Sequence, residues 1–401
     1  MDSRRKFIGA VATGLASTLA SSTGVLGAND RLRIGIIGAG QRGIELLHQA
    51  LACPNVEIGG FADVYSKRLD DARNLVPSAA LHRDYRRLLD DRSIDAVIIA
   101  TPQHLHGEHF VHSLEAGKHV YQEKTMAFTL EQAKRMRTAH RQASKAVVQI
   151  GHQSCSSGQM RDAINFLSTG YAGKITAIRM HWYRNTPHGK AQWARPVYPD
   201  MTPENIAWNS FLGEAPSREF EPHRFANWRL FEDYSGGNVC ENLSQQLAFW
   251  YRALNLQIPQ AATMTGGLYL WKDGRDVPDT MNVTFEQPEQ MLVSWDSGLG
   301  NSQLGITEDV LGSDGTISRN SSGIRYIPQK VNRPEGTEIA GKVVSFPTAH
   351  MQNFIDCIRT GQEPVCPFEL GYRVSIACRM ALDSFHLGRT VYWDPRTETI
   401  A

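Results

Sequence analysis

The chain has 401 residues and a formal net charge of +1, and 41% of its residues are hydrophobic and 21% charged. This length predicts two or three domains, and the composition is that of a globular protein with a sizeable core. The near-neutral charge gives no reason to expect nucleic acid or an anionic membrane as a partner. The six cysteines include no CxxC pair, so we expect buried free thiols and no metal site.

The first 28 residues predict an export signal rather than a part of the fold. The basic stretch Ser3-Arg4-Arg5-Lys6-Phe7 precedes a weakly apolar run, rich in Gly, Ala, Ser and Thr, that ends at Ala28. This is the form of a twin-arginine signal. A membrane anchor is the alternative, although so many small polar residues make a poor spanning helix. We therefore expect cleavage near Ala28, a periplasmic location and no membrane association after cleavage.

A glycine-rich turn follows the first apolar strand. RLRIGIIGAG runs into Gly38, Gly40 and Gly43, which have the spacing G-x-G-x-x-G, and a second strand ends at Asp63. This arrangement predicts a Rossmann domain over residues 29–153, with a pyrophosphate at the helix N-terminus and Asp63 on the ribose hydroxyls. Asp63 would repel a 2′-phosphate, which favours NAD over NADP. Lys67 and Arg68 lie one turn further on and leave NADP as the less favoured alternative.

Three more apolar strands continue the alternation, at 94–102, 119–126 and 146–153. In open parallel sheets, ligands bind at the carboxyl ends of the strands. The further residues that we expect at this cofactor-binding edge are Gln41, Arg42, Thr101, Pro102, His104, His106, Glu123, Lys124 and His152. His104 and His106 could instead be ordinary residues at the start of a helix, and Lys124 could be a surface lysine.

Five segments, taken together, resemble a known family. They are GIIGAGQRG, ATPQHLH, GKHVYQEK, GGNVCEN and the final HMQNFIDCIRTGQEPVCPFELGYR, in this order from about Arg31 to the C-terminus. The chain resembles the glucose–fructose oxidoreductase / inositol dehydrogenase (Gfo/Idh/MocA) family of nicotinamide-dependent sugar oxidoreductases. The resemblance implies an α/β fold: an N-terminal Rossmann domain and a C-terminal α/β domain with a large, mostly antiparallel sheet that often forms a homo-oligomer interface.

Strand-like segments beyond residue 153 agree with that architecture. They lie at 174–185, 261–271, 281–287, 289–297 and 309–319, with Gly or Asp-Gly turns between some of them. We therefore assign residues 154–401 to the second domain and expect roughly its last 50 residues to pack back on the Rossmann domain.

The resemblance implies that Lys124, directly after Glu123, is catalytic. Oxidation of a secondary alcohol needs loss of a hydride from carbon and of a proton from oxygen. A lysine buried beside the positively charged nicotinamide has its ammonium form disfavoured, so it can accept the hydroxyl proton. The family usually has proline after this lysine, and this chain has Thr125.

The second catalytic element of the family is a helix after a Gly-Gly turn, here Gly236-Gly237. Leu243, Leu247 and Trp250 form its buried stripe, Glu241 falls at the family's acidic position, and Gln245 falls where the acid/base histidine is expected. A glutamine cannot titrate. Three hypotheses about proton transfer remain open. Lys124 transfers the proton, alone or with Glu241. A histidine elsewhere substitutes, such as His181, His188 or His152. Or the protein only binds sugar and NAD.

Aromatic and planar side chains cluster between residues 182 and 234. They suit the apolar face and the hydroxyls of a sugar, and the expected substrate contacts are Tyr183, Arg184, Trp228, Arg229 and Gln245. An ordinary core with surface arginines is the alternative. Because little free NAD exists outside the cytoplasm, an exported enzyme should hold NAD tightly and run redox-neutral chemistry on a carbohydrate or glycoside. A glycosidase or lyase that works through a transient 3-keto sugar is the main competing hypothesis.

Overall fold

The computed structural model describes residues 31–401, so the predicted export signal at residues 1–28 lies outside the described residues. Two sheets organise this part of the chain, one with six strands and one with ten. The first is parallel and flanked by helices, and the second is mostly antiparallel. This confirms the predicted α/β class and both types of sheet.

The six-stranded sheet has the order β3-β2-β1-β4-β5-β6, and all its strands are parallel. The strand order reverses between β1 and β4, which is where open α/β sheets bind ligands. Its strands are β1 Leu32–Ile37, β2 Val56–Ala62, β3 Ala80–His82, β4 Ala96–Ile99, β5 His119–Gln122 and β6 Val148–Ile150. The helices of this domain are α1 Gln41–Leu51, α2 Ser66–Leu75, α3 Tyr85–Leu89, α4 His106–Glu115 and α5 Leu130–Gln142.

The ten-stranded sheet has the order β14-β13-β12-β11-β7-β10-β9-β8-β15-β16. Only β7 and β10 pair in parallel among these strands. The strands are β7 Ile175–Tyr183, β8 Ala261–Gly267, β9 Thr280–Gln287, β10 Met291–Gly298, β11 Ile306–Gly312, β12 Gly315–Asn320, β13 Gly323–Pro328, β14 Ile339–Ala340, β15 Val391–Asp394 and β16 Thr399–Ile400. The helices are α6 Gly158–Ser168, α7 Trp208–Leu212, α8 Pro222–Ala226, α9 Ser244–Leu254, α10 Ala349–Thr360 and α11 Phe368–Leu387.

The predicted strand at 309–319 is wrong as a single element. The structure has a turn after Gly312, and β11 and β12 pair antiparallel on either side of it, with Asp309 opposite Ser318. Ser313 and Asp314 form that turn, and the backbone N–H groups of both bond across to the chain at residues 172–174. The short strand β3 was not predicted, because three residues are too few to display an alternating pattern.

Helix α9 and the turn before it pack on one face of the ten-stranded sheet. Leu243, Leu247 and Trp250 are buried as predicted, at 0–1% exposure. They belong to the same apolar cluster as Val283 and Trp295, which lie on adjacent strands of the sheet. This packing fixes the helix, and with it the polar side chains at its N-terminal end.

The two domains share apolar contacts. Met351, Phe354 and Ile355 of α10 are buried in the cluster that contains β1 and α1 of the first domain. A second connection is the covering segment, residues 186–234, whose aromatic side chains form a cluster with Tyr65 just after β2. The N–H of Ala207 donates to the carbonyl of Val64 at 2.9 Å, and the N–H of Ser66 donates to Asn205 at 3.0 Å. The covering segment therefore lies on the carboxyl edge of the parallel sheet.

The six cysteines are all buried and free. No helix within residues 31–401 is both long and apolar enough to cross a lipid bilayer. The same residues bring together no group of three His, Cys, Asp or Glu side chains that could hold a metal ion.

We predict that Gly43→Ala destabilises the first domain and weakens its glycine turn. A Cβ at this position would lie 1.9 Å from the carbonyl oxygen of Gly38, which is backbone and must move. We expect a loss of about 1–3 kcal/mol in the free energy of unfolding, measured by denaturant unfolding. Gly40→Ala is the matched control, because its Cβ would meet nothing closer than 3.6 Å. Equal stability of the Gly43→Ala variant and the wild type would contradict the close packing of Gly43 on Gly38.

Candidate functional site

A large cleft runs along the carboxyl edge of the parallel sheet, between that edge and the covering segment. Its volume is about 1340 Å³. Its first wall contains the predicted residues Gly38, Gly40, Gln41, Arg42, Asp63, Thr101 and Pro102. Its second wall comes from the other domain and includes Arg184, Trp193, Arg195, Trp228, Arg229 and Glu241. The predicted dinucleotide-binding edge and the helical segment after the Gly-Gly turn therefore border the same cleft.

The glycine turn has the geometry that a dinucleotide needs. Gly38 has a φ of +95°, a conformation that side-chain-bearing residues rarely adopt, and Gly43 packs directly against its carbonyl. Gly40 precedes the first turn of α1, so the free N–H groups of that helix point at the cleft. The residues present thus fit a pyrophosphate at the position that the G-x-G-x-x-G spacing predicts.

Asp63 lies beside that turn at the end of β2. Its carboxylate accepts hydrogen bonds from the N–H groups of Ala39 and Tyr65, at 2.8 and 2.9 Å. The guanidinium of Arg68 lies 3.7 Å from the same carboxylate and stacks over the ring of Phe225. An acidic group therefore borders the ribose position, and an arginine partly offsets its charge. Lys67 instead pairs with Asp71 on the exposed side of α2.

Arg42 and Glu123 form a second ionic contact under the cleft. The Nε and Nη2 atoms of Arg42 both lie 2.9 Å from the Oε1 atom of Glu123, which also accepts from Gln153 at 3.0 Å. Glu123 is buried, and it comes directly before Lys124. This pairing holds the end of β5 against helix α1 and so fixes the start of the segment that carries the lysine.

Lys124 and Glu241 meet across the domain boundary. The Nζ atom of Lys124 donates to the Oε2 atom of Glu241 at 2.8 Å and to the Glu241 carbonyl at 3.0 Å. The next residue, Thr125, donates its hydroxyl to the carbonyl of Cys240 at 2.7 Å. The Lys124–Thr125 peptide bond is cis. The structure thus brings together two of the three candidate catalytic residues, Lys124 and Glu241, although they lie 117 positions apart in the chain.

Glu241 has three partners besides the backbone. Its Oε1 atom accepts from the amide of Gln103 at 2.9 Å and faces the Nε atom of Arg229 at 3.3 Å. Burial alone raises the pKa of Glu241, but the charges of Lys124 and Arg229 outweigh burial and lower this pKa to about 2. Glu241 is therefore a permanent carboxylate near neutral pH, which suits an anchor for Lys124 and does not suit a proton carrier.

A wide helical turn, Val239–Leu243, presents Glu241. This turn is a π-helix, and such turns recur at functional sites. The carbonyl of Cys240 accepts from the hydroxyls of Thr125 and Ser244, and the carbonyl of Glu241 accepts from Lys124 and Gln245. The Gly-Gly turn before it is obligatory, since Gly237 has a φ of +54° and an added Cβ would lie 2.8 Å from Val277.

The expected histidines lie behind the cleft rather than in it. His104 bonds the carbonyl of Phe211 at 2.7 Å, and His106 bonds the carbonyls of Thr101 and Thr125 at 2.9 and 2.7 Å. Both support the loops that line the site. His152 is buried without a side-chain partner among the described residues, and burial, with Lys124 and His350 nearby, lowers its pKa to about 3. A histidine with such a low pKa is a poor proton acceptor at neutral pH.

The expected substrate residues, and the candidate catalytic His181, lie in different parts of the structure. Arg184, Trp228 and Arg229 line the cleft. His181 and Tyr183 do not, because they alternate with the buried Met180 on β7 and lie on the opposite face of the ten-stranded sheet. His181 bonds Asp296 there at 2.6 Å. The structure therefore does not bring His181 to Lys124 within one chain, and His188 lies on a separate exposed loop.

Gln245 lies one turn beyond Glu241 and does not line the cleft. Its Nε2 atom donates to the Glu241 carbonyl at 3.0 Å. In the other amide pair of this helix, Asn242 donates to the side chain of Asn238, and Gln246 faces the sheet. Gln246 accepts from the indole of Trp295 at 2.7 Å and donates to Glu308 at 3.1 Å. The amides therefore satisfy buried backbone and sheet groups, and no titratable group occupies the position of the family's histidine.

Two residues of the site were missed at the sequence level. Gln103 joins Glu241 to the N–H of Gly236, which donates to its Oε1 atom at 3.0 Å. Arg195 donates to Gln41 at 3.1 Å across the mouth of the cleft. Gln103 lies inside the ATPQHLH segment, between Pro102 and His104, which were both predicted to be site residues. Its position in the sequence could therefore have indicated that it belongs to the site. Nothing in the local sequence distinguishes Arg195 from other surface arginines.

Comparisons with known proteins agree with this geometry. Residues 32–152 match the family model Gfo/Idh/MocA, described as an oxidoreductase family with an NAD-binding Rossmann fold. The chain is 31% identical over 147 residues to the 1-carboxy-3-chloro-3,4-dihydroxycyclohexa-1,5-diene dehydrogenase of Comamonas testosteroni, a match that covers 37% of each protein. It is 32% identical over 139 residues to a glycosyl hydrolase family 109 protein of Stenotrophomonas maltophilia, covering 32% of this chain and 31% of that protein. The chain thus matches only about a third of the length of these two relatives.

A likeness in fold extends over nearly the whole chain. The aldose-aldose oxidoreductase from Caulobacter crescentus, solved in complex with glycerol, superposes with a TM-score of 0.69 at 18% identity. The superposition covers 90% of this chain and 99% of that one. At this identity the likeness shows the two-domain fold alone. The sequence match therefore identifies residues 32–152 as a Rossmann domain similar to the NAD-binding domain of the Gfo/Idh/MocA oxidoreductase family.

Proposed function

We propose that this protein is an exported NAD-dependent oxidoreductase that takes a hydride from a secondary alcohol of a carbohydrate. The observation that carries the proposal is the Nζ atom of Lys124, held 2.8 Å from Glu241 beside the dinucleotide cleft. The name of the aldose-aldose oxidoreductase, which shares the fold, supports a sugar as substrate. The export part of the proposal rests on the twin-arginine stretch within residues 1–28.

In this proposal Lys124 accepts the proton, and Glu241 orients the side chain of Lys124. Bound nicotinamide would supply the hydride acceptor. Lys124 in its neutral form accepts the proton of the substrate hydroxyl, and its ammonium form is then held by the carboxylate and the carbonyl of Glu241. Because the pKa of Glu241 is about 2, this carboxylate keeps its charge throughout. Of the three hypotheses about proton transfer, the geometry therefore favours Lys124 acting with Glu241.

One feature supports NAD rather than NADP, and a second supports tight binding of the cofactor. The carboxylate of Asp63 borders the ribose position and would oppose the 2′-phosphate of NADP. The covering segment contributes Trp193, Arg195 and Met201 to the cleft and bonds the chain directly after β2. A cofactor under such a cover leaves slowly, which suits a redox-neutral reaction where free NAD is scarce: one sugar is oxidised and another is reduced on the same bound cofactor.

A second candidate is an NAD-dependent glycosidase or lyase. The 32% identity to a glycosyl hydrolase family 109 protein over 139 residues favours it. Transient oxidation at C3 acidifies the neighbouring C–H bond, which allows the C1 substituent to leave before the ketone is reduced again. This route uses Lys124 and the same cleft.

Purified protein distinguishes these candidates. Denatured protein should release NAD, and sugars added to the native protein should change the 340 nm absorbance of the bound cofactor. Release of nitrophenol from nitrophenyl glycosides with no net NADH would support the glycosidase. Bound nucleotide that never changes redox state, together with no glycoside cleavage, would identify a sugar-binding protein and contradict both enzymatic proposals.

We predict that Lys124→Met slows hydride transfer to bound NAD by roughly 10²- to 10⁴-fold, the usual contribution of a positioned acid/base. The measurement is single-turnover absorbance at 340 nm with a reactive sugar. Lys145→Met is the matched control, because Lys145 is an exposed residue outside the cleft. Wild-type rates in Lys124→Met would contradict the role proposed for this lysine.

We predict that Gln245→His changes the same rate by less than about threefold, because residue 245 bonds the Glu241 carbonyl and does not line the cleft. Gln245→Met controls for the lost amide. A histidine variant that is tenfold or more faster than both the wild type and the methionine variant would show that position 245 reaches the reacting hydroxyl.

A further inference from the structure

The arginines that line the cleft divide by whether a carboxylate faces them. Arg42, Arg68, Arg86, Arg135 and Arg229 each lie within 4 Å of an acidic side chain. Among the described residues, Arg83, Arg184 and Arg195 have no such partner, although all three line the same space. Arg195 bonds Gln41 of the glycine turn at 3.1 Å, and Arg83 bonds the carbonyl of Glu204 at 3.1 Å. Of these three arginines, only Arg184 has no side-chain hydrogen bond to another residue within residues 31–401.

Arg184 is partly buried, and its guanidinium lies over an indole. Its Cζ atom is 5.1 Å from the ring centroid of Trp182. Arg229 has the same arrangement over Trp228, at 4.2 Å. Stacking uses the face of a guanidinium and leaves its N–H edges free. Both arginines are thus held in place. The donors of Arg184 remain available to a ligand, whereas the Nε atom of Arg229 already faces Glu241.

The charge around Glu241 is not balanced. Lys124 and Arg229 both pair with this one carboxylate, which also accepts from Gln103. Burial lowers the pKa of Arg184, and Glu241 is the charged group that opposes this effect. Even with Lys124 neutral, as the proposed proton transfer requires, two guanidinium groups share one anionic side chain here. An oxidised nicotinamide would add a further positive charge to the same region.

We propose that the substrate is a sugar that carries an anionic group, a carboxylate or a sulfate ester, and that Arg184 binds this group with help from Arg229. The inference rests on the proposed function and names its substrate class. A guanidinium edge forms paired, charge-assisted hydrogen bonds with planar or tetrahedral oxyanions. A neutral sugar would displace water from Arg184 and leave its charge without a counter-ion, which is costly in a closed site.

The experiment compares ring-matched probes on the purified protein with its bound nucleotide. The probes are D-glucuronate, D-glucose 6-sulfate and D-glucose, and the corresponding galacto sugars. Calorimetry measures binding, and absorbance at 340 nm measures reaction. We expect an anionic probe to bind at least roughly tenfold more tightly than its neutral counterpart, as hydrogen bonds to a charged group predict. Whichever anionic probe is preferred identifies carboxylate or sulfate.

Arg184→Met tests the residue itself, and Arg184→Lys tests whether charge alone is enough. The preference is the dissociation constant of the neutral probe divided by that of the anionic probe. In Arg184→Met, we expect this preference to fall by roughly 10- to 100-fold. Arg184→Lys should recover only part of it, because lysine lacks the planar fork. Arg396→Met is the control, since Arg396 is 91% exposed and pairs with Asp394 outside the cleft.

The outcomes separate the inference from the proposed function. Equal or tighter binding of the neutral sugars, or an anion preference that survives in Arg184→Met, would overturn the inference while any 340 nm change still supported the enzyme. An anion preference without a 340 nm change for any probe would support the binding site and count against the oxidoreductase. Loss of the preference in Arg396→Met would also overturn the inference, because it would trace the preference to overall charge.

Discussion

The ion pair between Lys124 and Glu241 is the contact on which the site depends. Lys124 lies after β5 of the parallel sheet, and Glu241 lies in the wide turn Val239–Leu243 that leads into α9. The hydrogen bonds from Thr125 to Cys240 and from Gly236 to Gln103 run alongside it. Taking two charges out of water is expensive, so the pair is poor evidence for stability by itself. Because the pair lies at the junction of the domains, it sets the distance between the carboxyl edge of the parallel sheet and the cleft wall that the second domain contributes.

This pair also divides the chemical roles. A carboxylate with a pKa of about 2 cannot share the proton of an alcohol near neutral pH, whereas it can hold an ammonium group in one orientation. The buried histidines do not compete for the proton, because burial lowers the pKa of His104 to about 4 and that of His152 to about 3. Arg184 and Arg229 lie beside this pair, and in the proposal above their guanidinium groups select the sugar that binds.

Local patterns in the sequence predict local structure well here. The spacing of Gly38, Gly43 and Asp63 identifies a strand, a turn and a second strand, because each residue type meets a backbone requirement within one βαβ unit. The stripe of Leu243, Leu247 and Trp250 follows from helical periodicity. The strand predicted at 309–319 contains Gly312-Ser313-Asp314-Gly315, and an Asp-Gly pair between strands is a hairpin signal. The turn between β11 and β12 was therefore available from the sequence. Lys124 and Glu241 were predicted through a family resemblance rather than from spacing.

Contacts between distant segments could not be predicted in this way. Alternation on β7 places His181 and Tyr183 on one face, but only the packing of Met180 and Trp295 decides which face is covered. Gln103 and Arg195 act on residues 138 and 154 positions away, and such pairings depend on how the covering segment folds over the sheet edge. A single sequence carries no direct record of these contacts.

A double-mutant cycle on Lys124→Met and Glu241→Gln tests the central interaction most directly. Glu241→Gln leaves Lys124 without its counter-charge, and Lys124→Met leaves Glu241 with Arg229 alone. Each single variant should therefore lower the free energy of unfolding by about 2–4 kcal/mol. Guanidinium unfolding followed by tryptophan fluorescence, at one protein concentration, measures all four proteins. We predict that the double variant is more stable than the sum of the single losses implies, by more than about 1 kcal/mol. Losses that add to within about 0.5 kcal/mol would contradict a Lys124–Glu241 pair that joins the domains.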